Sequence, residues 1–550
     1  MLILLLRNNF CTRKVVIETK TKTMSQKLLQ LFILPALLLS TLSGVSQNKI
    51  RVKVNGVANQ TVYLANYYGD RLYYNDTTKA DAKGYFEFEG KPYEECGKYA
   101  IVCPGPKFFD IIVDEEDIYL ETDTADFIGN LTVHKSEQNE LFFNYLGYIQ
   151  DKRQQRAPWD KVLADSLATD KKKAMAKAEI QSMNTSVQAY QSKLFAEHPD
   201  ALFAKLLNMT VETTVPDAPE GVENEQTWKY YYYRDHYWDN VDFKDPRLLR
   251  DQIFHKLLDK YWTKVMPQIP DTLLKEAFLL VDRADNYDMK KYFTHYITYA
   301  AESSKIMCMD KIFVAMVDRY YKTGKADWLT EEQLVNITER ADDMRYSVCG
   351  EPVPNIILPD TTLTNWVSLY DIEAKYTVIA IWESSCGHCK KEMPKLQALF
   401  DKWHPKGLEM FAIGNDFETE PWLKFVREKE IGNWINVSDN PQINQADSAS
   451  KLIYSGVTTL QSLNFRKTFD VFSTPKVFLL DADKRVIAKQ LSAEQIGELL
   501  ERLENKGEAV GTMQINEDDG EDDSEDEEDQ QEQGKASQEN ERKKSKSKSN

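Results

Sequence analysis

The sequence predicts a multidomain chain: an N-terminal antiparallel β-sandwich, an all-α middle domain and a C-terminal α/β domain. Three observations carry this. Apolar residues alternate with period two in the first folded stretch, recur at helical spacing in the next, and gather into short continuous runs between helical patterns in the last. The 550 residues also exceed what one core organises, since domains run to about 150 residues. Apolar residues make up 42% and charged residues 28%, which suits a globular protein and excludes a wholly disordered one. With 69 basic against 87 acidic residues the net charge is -18, so the chain lacks the cation excess that holds a phosphate backbone, and nucleic acid is not an expected partner.

The ends read differently from the middle. Residues 1–46 read as a signal peptide whose start is Met24: Lys27 supplies charge, Leu28 to Leu39 is an apolar run, and Gly44-Val45-Ser46 offers small residues before a cleavage at Gln47. The run is shorter than the roughly 20 residues of a membrane span. No cysteine stands at the cleavage point, so a lipoprotein is not expected, and the protein belongs in the periplasm or cell envelope. Residues 511–550 hold fourteen acids and six bases; Glu517 to Glu532 alone carries twelve acids and no base, which predicts a disordered acidic tail.

Between these ends, residues 48–132 show the strand pattern. Ile50, Val52 and Val54 alternate with polar residues, as do Val62 with Leu64 and Phe86 with Phe88, and Asn55-Gly56, Gly69-Asp70 and Lys83-Gly84 supply turns. Residues 135–346 change to helical spacing, with Pro158, Pro199, Pro216, Pro246 and Pro270 as expected breaks. The aromatic run Trp228 to Trp238 is either a ligand platform or, better, inter-helix packing. Neither region shows a catalytic constellation.

Residues 348–506 alternate strand and helix. Tyr376 to Trp382 suits a buried parallel strand, followed by Cys386-Gly387-His388-Cys389, a helix over Lys390 to Trp403, a strand over Leu408 to Ile413 and a helix over Glu420 to Lys429. A hairpin of Lys476 to Leu480 with Val486 to Lys489 and a helix over Ala493 to Asn505 complete the order. Two cysteines three apart can close a disulfide, and a helix N-terminus lowers the pKa of the first, so Cys386 attacks and Cys389 resolves. A zinc site would need a second pair, and c-type haem a His directly after Cys389, where Lys390 stands. The remaining histidines show no ligand spacing, so no metal and no cofactor beyond the redox-active Cys386–Cys389 disulfide is expected.

This region resembles the thioredoxin superfamily, in particular TlpA-like and AhpC-TSA-like thiol:disulfide oxidoreductases of the bacterial envelope. The matching pieces are the strand Thr377 to Trp382, the Cys386–Cys389 turn, Pro394 in the first helix, and Ser473-Thr474-Pro475-Lys476-Val477-Phe478. The resemblance implies a cis Pro475 beside the active-site disulfide, with Thr474 pairing to substrate and Gly387 and His388 supporting the cysteines. It departs from the family where Ser385 replaces the usual Trp and Ala380 a buried acid, which leaves Glu383 as the nearest candidate base for Cys389. Cys389 and Pro475 are also far apart for the family, pointing to an insertion over Asn436 to Thr468. The whole chain resembles large envelope thioredoxin-like proteins whose first two domains have no assigned activity.

The reading is an exported thiol:disulfide oxidoreductase acting on protein thiols and disulfides, with a membrane thiol reductase as candidate electron donor. Rivals are a binding or scaffold protein with a redox-sensing domain, and a thiol peroxidase, although Glu383 and Ile379 stand where peroxiredoxins place Thr and Pro. His388 in Cys-Gly-His-Cys, the four residues of protein disulfide isomerase, predicts a potential more oxidising than the roughly -270 mV of thioredoxin. Cys96 with Cys103, and Cys308 with Cys349, could each be a structural disulfide or two buried thiols.

Overall fold

The computed structural model describes residues 49–506 apart from 90–94, 106, 115 and 440–445. The expected signal peptide and acidic tail lie outside the described residues. The described chain divides into two compact units between Thr298 and Tyr299.

In the first unit the strands are β1 (Lys49–Asn55), β2 (Thr61–Tyr68), β3 (Arg71–Lys79), β4 (Tyr85–Glu89), β5 (Gly97–Cys103), β6 (Lys107–Val113), β7 (Ile118–Asp123) and β8 (Thr132–Lys135). Among the described residues they form two four-stranded sheets, ordered β4-β1-β7-β8 and β3-β2-β5-β6. Period-two alternation puts Ile50, Val52, Val54 and Leu120 of one sheet into the same apolar cluster as Val62, Leu64, Ile101 and Ile111 of the other. The sheets are not purely antiparallel as expected. β1 runs parallel to β7, with Ile50 opposite Ile118, because β7 reaches β1 after the chain has crossed the other sheet, and only tight hairpins force antiparallel pairing.

The strand layout decides one cysteine question. Cys96 and Cys103 lie at the two ends of the β5 run rather than on adjacent strands. Extended chain at about 3.3 Å per residue separates them by roughly 23 Å, far beyond the Cα spacing of a disulfide. Cys103 is a buried free thiol whose pKa burial pushes up to about 11.

Helix α1 (Glu137–Ala164) begins where the Ser136 hydroxyl accepts the Asn139 N–H at 3.1 Å. Asn139 is fully buried and exchanges two hydrogen bonds with the Ile112 backbone, at 2.7 and 2.9 Å, which pins α1 to β6. Pro158 does not break the chain as expected; it lies inside α1. Ahead of it, α1 packs on α2 (Asp170–Glu197) through a Tyr148–Tyr190 ring stack at 4.4 Å and a Gln191 hydrogen bond to Tyr145 at 2.9 Å. In the aromatic run, Tyr237 and Trp238 are core, while Tyr231 stays 47% exposed.

The second unit opens in the last turn of α3 (Tyr287–Glu302) and includes α4 (Glu331–Arg345), whose capping box pairs Thr330 with Gln333. A short hairpin, β9 (Ile357–Pro359) with β10 (Trp366–Ser368), precedes a five-stranded sheet. Its order is β13 (Ile435–Ser438), β12 (Leu408–Gly414), β11 (Tyr376–Trp382), β14 (Lys476–Leu480), β15 (Val486–Lys489). β11 is buried along its whole length, parallel to β12 and antiparallel to β14. Its continuous apolar run is that of a central strand covered on both faces. Helices α5 (Gly387–Trp403), α6 (Thr419–Glu428) and α7 (Ala493–Lys506) accompany the sheet. The expected insertion is partly sheet: Asn436 to Ser438 belong to edge strand β13, and Leu463 and Phe465 are buried in the same apolar cluster. Gly414 ends β12 against the Trp422 ring, which a Cβ there would approach to 2.5 Å.

Cys308 and Cys349 form a disulfide 41 residues apart, with Cα atoms 5.5 Å apart, and both join the cluster that contains β11. No helix among the described residues is long and apolar enough to cross a membrane.

Candidate active site

The chain leaves β11 through Glu383, Ser384 and Ser385 and enters α5 at Gly387, three residues earlier than the expected Lys390. The reason is local: Cys386 is the N-cap, in extended conformation, and its Sγ accepts the Cys389 N–H at 3.3 Å. The first cysteine therefore stands at the positive end of a 17-residue helix. Cys389, one turn in, is completely buried.

The two thiols, both free, are differently tuned. Partial burial pushes Cys386 up, but hydrogen bonds from the Thr474 and Cys389 side chains and from the His388 and Cys389 backbone outweigh it, so its pKa falls below the ordinary 9.0. Burial drives Cys389 the other way, and its thiol is pushed up to about 12. One sulfur is half-exposed with a lowered pKa; the other is hidden with a raised one.

Opposite Cys386, the loop before β14 brings in Thr474, whose carbonyl accepts from the Cys386 thiol at 3.1 Å. The Thr474–Pro475 bond is cis. Pro394 lies inside α5, and Ala380 is wholly buried in β11 with no acid beside it on the strand. His388 is exposed and lines the groove next to Thr474 and Pro475. Gly387 has no left-handed backbone, and a Cβ there would meet nothing within 4 Å, so its conformation does not require glycine.

The Glu383 carboxylate accepts from Ser385 Oγ at 2.6 Å and Asn415 Nδ2 at 3.4 Å, while its backbone hydrogen-bonds Cys389. Sequence reasoning missed Asp416. Only 8% exposed, it takes the Ser384 N–H at 3.1 and 3.2 Å and the Ser384 hydroxyl, fixing the turn two residues before Cys386. Burial raises its pKa against the pull of those bonds, with Glu383 adding repulsion. The available signal was an Asn-Asp pair directly after an apolar strand, a common turn pattern that singles out no partner.

A half-exposed, low-pKa thiol capping a helix, a buried partner one turn on and a proline loop over both is the arrangement of dithiol exchange. The model of the AhpC/TSA family matches residues 349–489. Residues 349–489 are a thioredoxin-superfamily domain, TlpA-like in kind. Two domains of unknown function, DUF4369 and DUF5106, match residues 48–142 and 166–347. Among curated relatives, the thiol-disulfide oxidoreductase ResA of Bacillus thuringiensis subsp. konkukian is 28% identical over 158 residues, covering 28% of this chain and 77% of that protein. ResA of Bacillus cereus strain ZK is 29% identical over 153 residues, 28% and 74% of the two chains. Among solved structures, a domain of a possible thiol-disulfide isomerase from Cytophaga hutchinsonii is 35% identical over 28% of this chain and 93% of that one, at a TM-score of 0.24. A thioredoxin-like protein from Bacteroides caccae is 20% identical, spanning 53% and 99% at a TM-score of 0.37. The thioredoxin-like domain is a thiol-disulfide oxidoreductase by family.

Proposed function

We propose that the chain is an exported thiol:disulfide oxidoreductase of the periplasm or cell envelope that exchanges disulfides with protein substrates through Cys386 and Cys389. The observation that carries this is the opposite tuning of the two thiols, one accessible with a lowered pKa and one buried with a raised pKa. The Cys386 thiolate attacks one sulfur of a substrate disulfide; a Cys386–substrate disulfide forms and the other substrate sulfur leaves as thiolate. Cys389 then gives up its proton and attacks Cys386 Sγ, leaving the Cys386–Cys389 disulfide and a fully reduced substrate. The reverse sequence oxidises a substrate dithiol.

The Thr474 carbonyl, 3.1 Å from Cys386 Sγ, marks where a substrate backbone aligns, and Pro475 shapes that edge. His388 stabilises the Cys386 thiolate and biases the domain toward oxidation. Glu383 holds Cys389 through its backbone, and Asp416 positions the turn. No cofactor beyond the dithiol is invoked; a membrane thiol reductase is the proposed electron donor when the domain works as a reductase.

Insulin reduction tests the reading. Cys386→Ser abolishes turnover, and Cys389→Ser accumulates a covalent adduct that thiol reductant releases. Turnover by Cys386→Ser at the wild-type rate would leave a scaffold rather than an enzyme.

A further inference from the structure

The strand order of the second sheet brackets the reactive sulfur. β11 runs parallel to β12, with Trp382 opposite Gly414, and antiparallel to β14, with Ile381 opposite Lys476. The loop that leaves β11 toward Cys386 therefore starts between the loop that leaves β12 and the loop that enters β14. At the strand ends each neighbour is about 5 Å away.

Both flanking loops hold a phenylalanine out in water. Phe417, three residues after Gly414, is 80% exposed, and Phe472, four residues before Lys476, is 81% exposed. They are the two most exposed phenylalanines among the described residues. One exposed apolar side chain calls for no explanation, but here two stand on opposite sides of one reactive thiol.

Contacts tie both loops to the turn that presents Cys386. Asp416, next to Phe417, accepts the Ser384 N–H at 3.1 and 3.2 Å, two residues before Cys386. Thr474, two residues after Phe472, accepts from Cys386 Sγ at 3.1 Å. Two residues of extended chain span at most about 7 Å, so each ring stands close to the path of a group approaching the sulfur. The Arg340 guanidinium lies over the Phe472 ring, 5.2 Å from its centroid, and still leaves most of that side chain in solvent.

A substrate sulfur that reaches Cys386 brings its neighbouring residues in between these two loops. In an extended segment the side chains two positions before and after a cysteine share its face. An apolar side chain there removes its own surface and that of a phenylalanine from water, which a small polar side chain cannot match.

We propose that Phe417 and Phe472 are specificity-determining residues that select extended polypeptide segments with large apolar side chains two positions from the reacting cysteine. The proposal rests on the dithiol-exchange reading. Cys386 supplies the sulfur chemistry, and the loops on either side of it supply the choice of sequence.

The test uses the full chain and two synthetic peptides with one intramolecular disulfide each. They are identical except for leucine or serine two positions before and after the first cysteine, and each rate is divided by that of dithiothreitol on the same peptide. The ratio of kcat/KM values favours the leucine peptide about tenfold and holds up to about 0.5 M salt, because apolar contact is not screened. Phe417→Ser and Phe472→Ser each cut the ratio at least about threefold, the double variant brings it near one, and Phe472→Leu, which stays apolar, keeps it. The pH inflection of Cys386 alkylation by iodoacetamide stays at its wild-type value in these variants. A wild-type ratio near one, a ratio that collapses with salt, a ratio unmoved in the double variant, or a loss accompanied by a shifted inflection would overturn the proposal. Failure of the underlying reading looks different: Cys386→Ser would still turn over both peptides.

Discussion

The Arg340 guanidinium donates to the Asp470 carboxylate at 2.6 Å and lies over the Phe472 ring at 5.2 Å from its centroid. Arg340 belongs to α4, and the loop it grips leads within four residues to Thr474, the carbonyl partner of Cys386. Asp470 also takes the buried Lys476 ammonium through its backbone carbonyl.

Arg340→Ala frees that loop. The variant loses roughly 1–3 kcal/mol of stability, because Asp470 keeps only a 3.7 Å ion pair with Lys476. Its kcat/KM on insulin falls about tenfold, since displacing reacting groups by an ångström costs up to ~10². Thermal unfolding and turnover measured together check this; a fully stable variant with unchanged turnover would show that the contact positions nothing.

The Cys308–Cys349 disulfide closes a loop of 41 residues in sequence separation. Chain-entropy reasoning gives about 4 kcal/mol of stabilisation, so Cys308→Ala/Cys349→Ala unfolds at markedly lower denaturant. Dithiothreitol lowers the wild-type midpoint by more than it lowers that of the double variant. Identical midpoints for the wild type with and without reductant would contradict this.

Alkylation of Cys386 has a definite pH signature. Its folded pKa lies below 9.0, so at neutral pH its thiolate fraction exceeds that of an ordinary cysteine, and the advantage disappears once the pH passes 9.0. Iodoacetamide labelling of the reduced protein, read by mass spectrometry, inflects below 9.0 at Cys386. Cys389, pushed up to about 12, stays unlabelled across that range. Equal labelling of the two thiols at neutral pH would refute the assigned roles.

Asp416 gives a second pH signature, with the opposite sign from a salt-bridged carboxylate. Its folded pKa is raised above 3.8, so the folded state holds the proton more tightly and stability declines as pH rises from 3.8 through the folded pKa. Asp416→Asn removes that decline, and it costs about 1–3 kcal/mol near neutrality by weakening the acceptor for the Ser384 N–H and hydroxyl. Denaturant unfolding from pH 3.5 to 7 measures both; parallel pH profiles for the variant and the wild type would remove Asp416 from this role.

Much of the second unit was legible in the sequence because its signals are local. The β11 run from Tyr376 to Trp382 and the hairpin strands β14 and β15 match their predicted bounds. The start of α5 was not, because cysteine is a poor helix-start signal; only the Sγ acceptor geometry of Cys386 reveals the cap. The first unit's strands followed period-two alternation, but the parallel β1–β7 pairing depends on where a distant strand returns. Pro158 misled because a proline is a strong local break signal, yet α1 runs through it from Glu137 to Ala164.

The sequence by itself determined the local pattern: two cysteines three apart after a buried apolar run, and a Thr-Pro pair ahead of a hairpin. These are short-range facts, written in spacing and in apolar runs. Only the tertiary structure decided that Cys389 is buried while Cys386 is not, that Cys96 and Cys103 stand too far apart to pair, and that Asp416 holds the active-site turn. It also decided that Cys308, bonded to Cys349, and Arg340, gripping Asp470 ahead of Thr474, are tied to the domain that carries the two cysteines. Such contacts join residues tens to more than a hundred positions apart, and no local pattern encodes a distance in space.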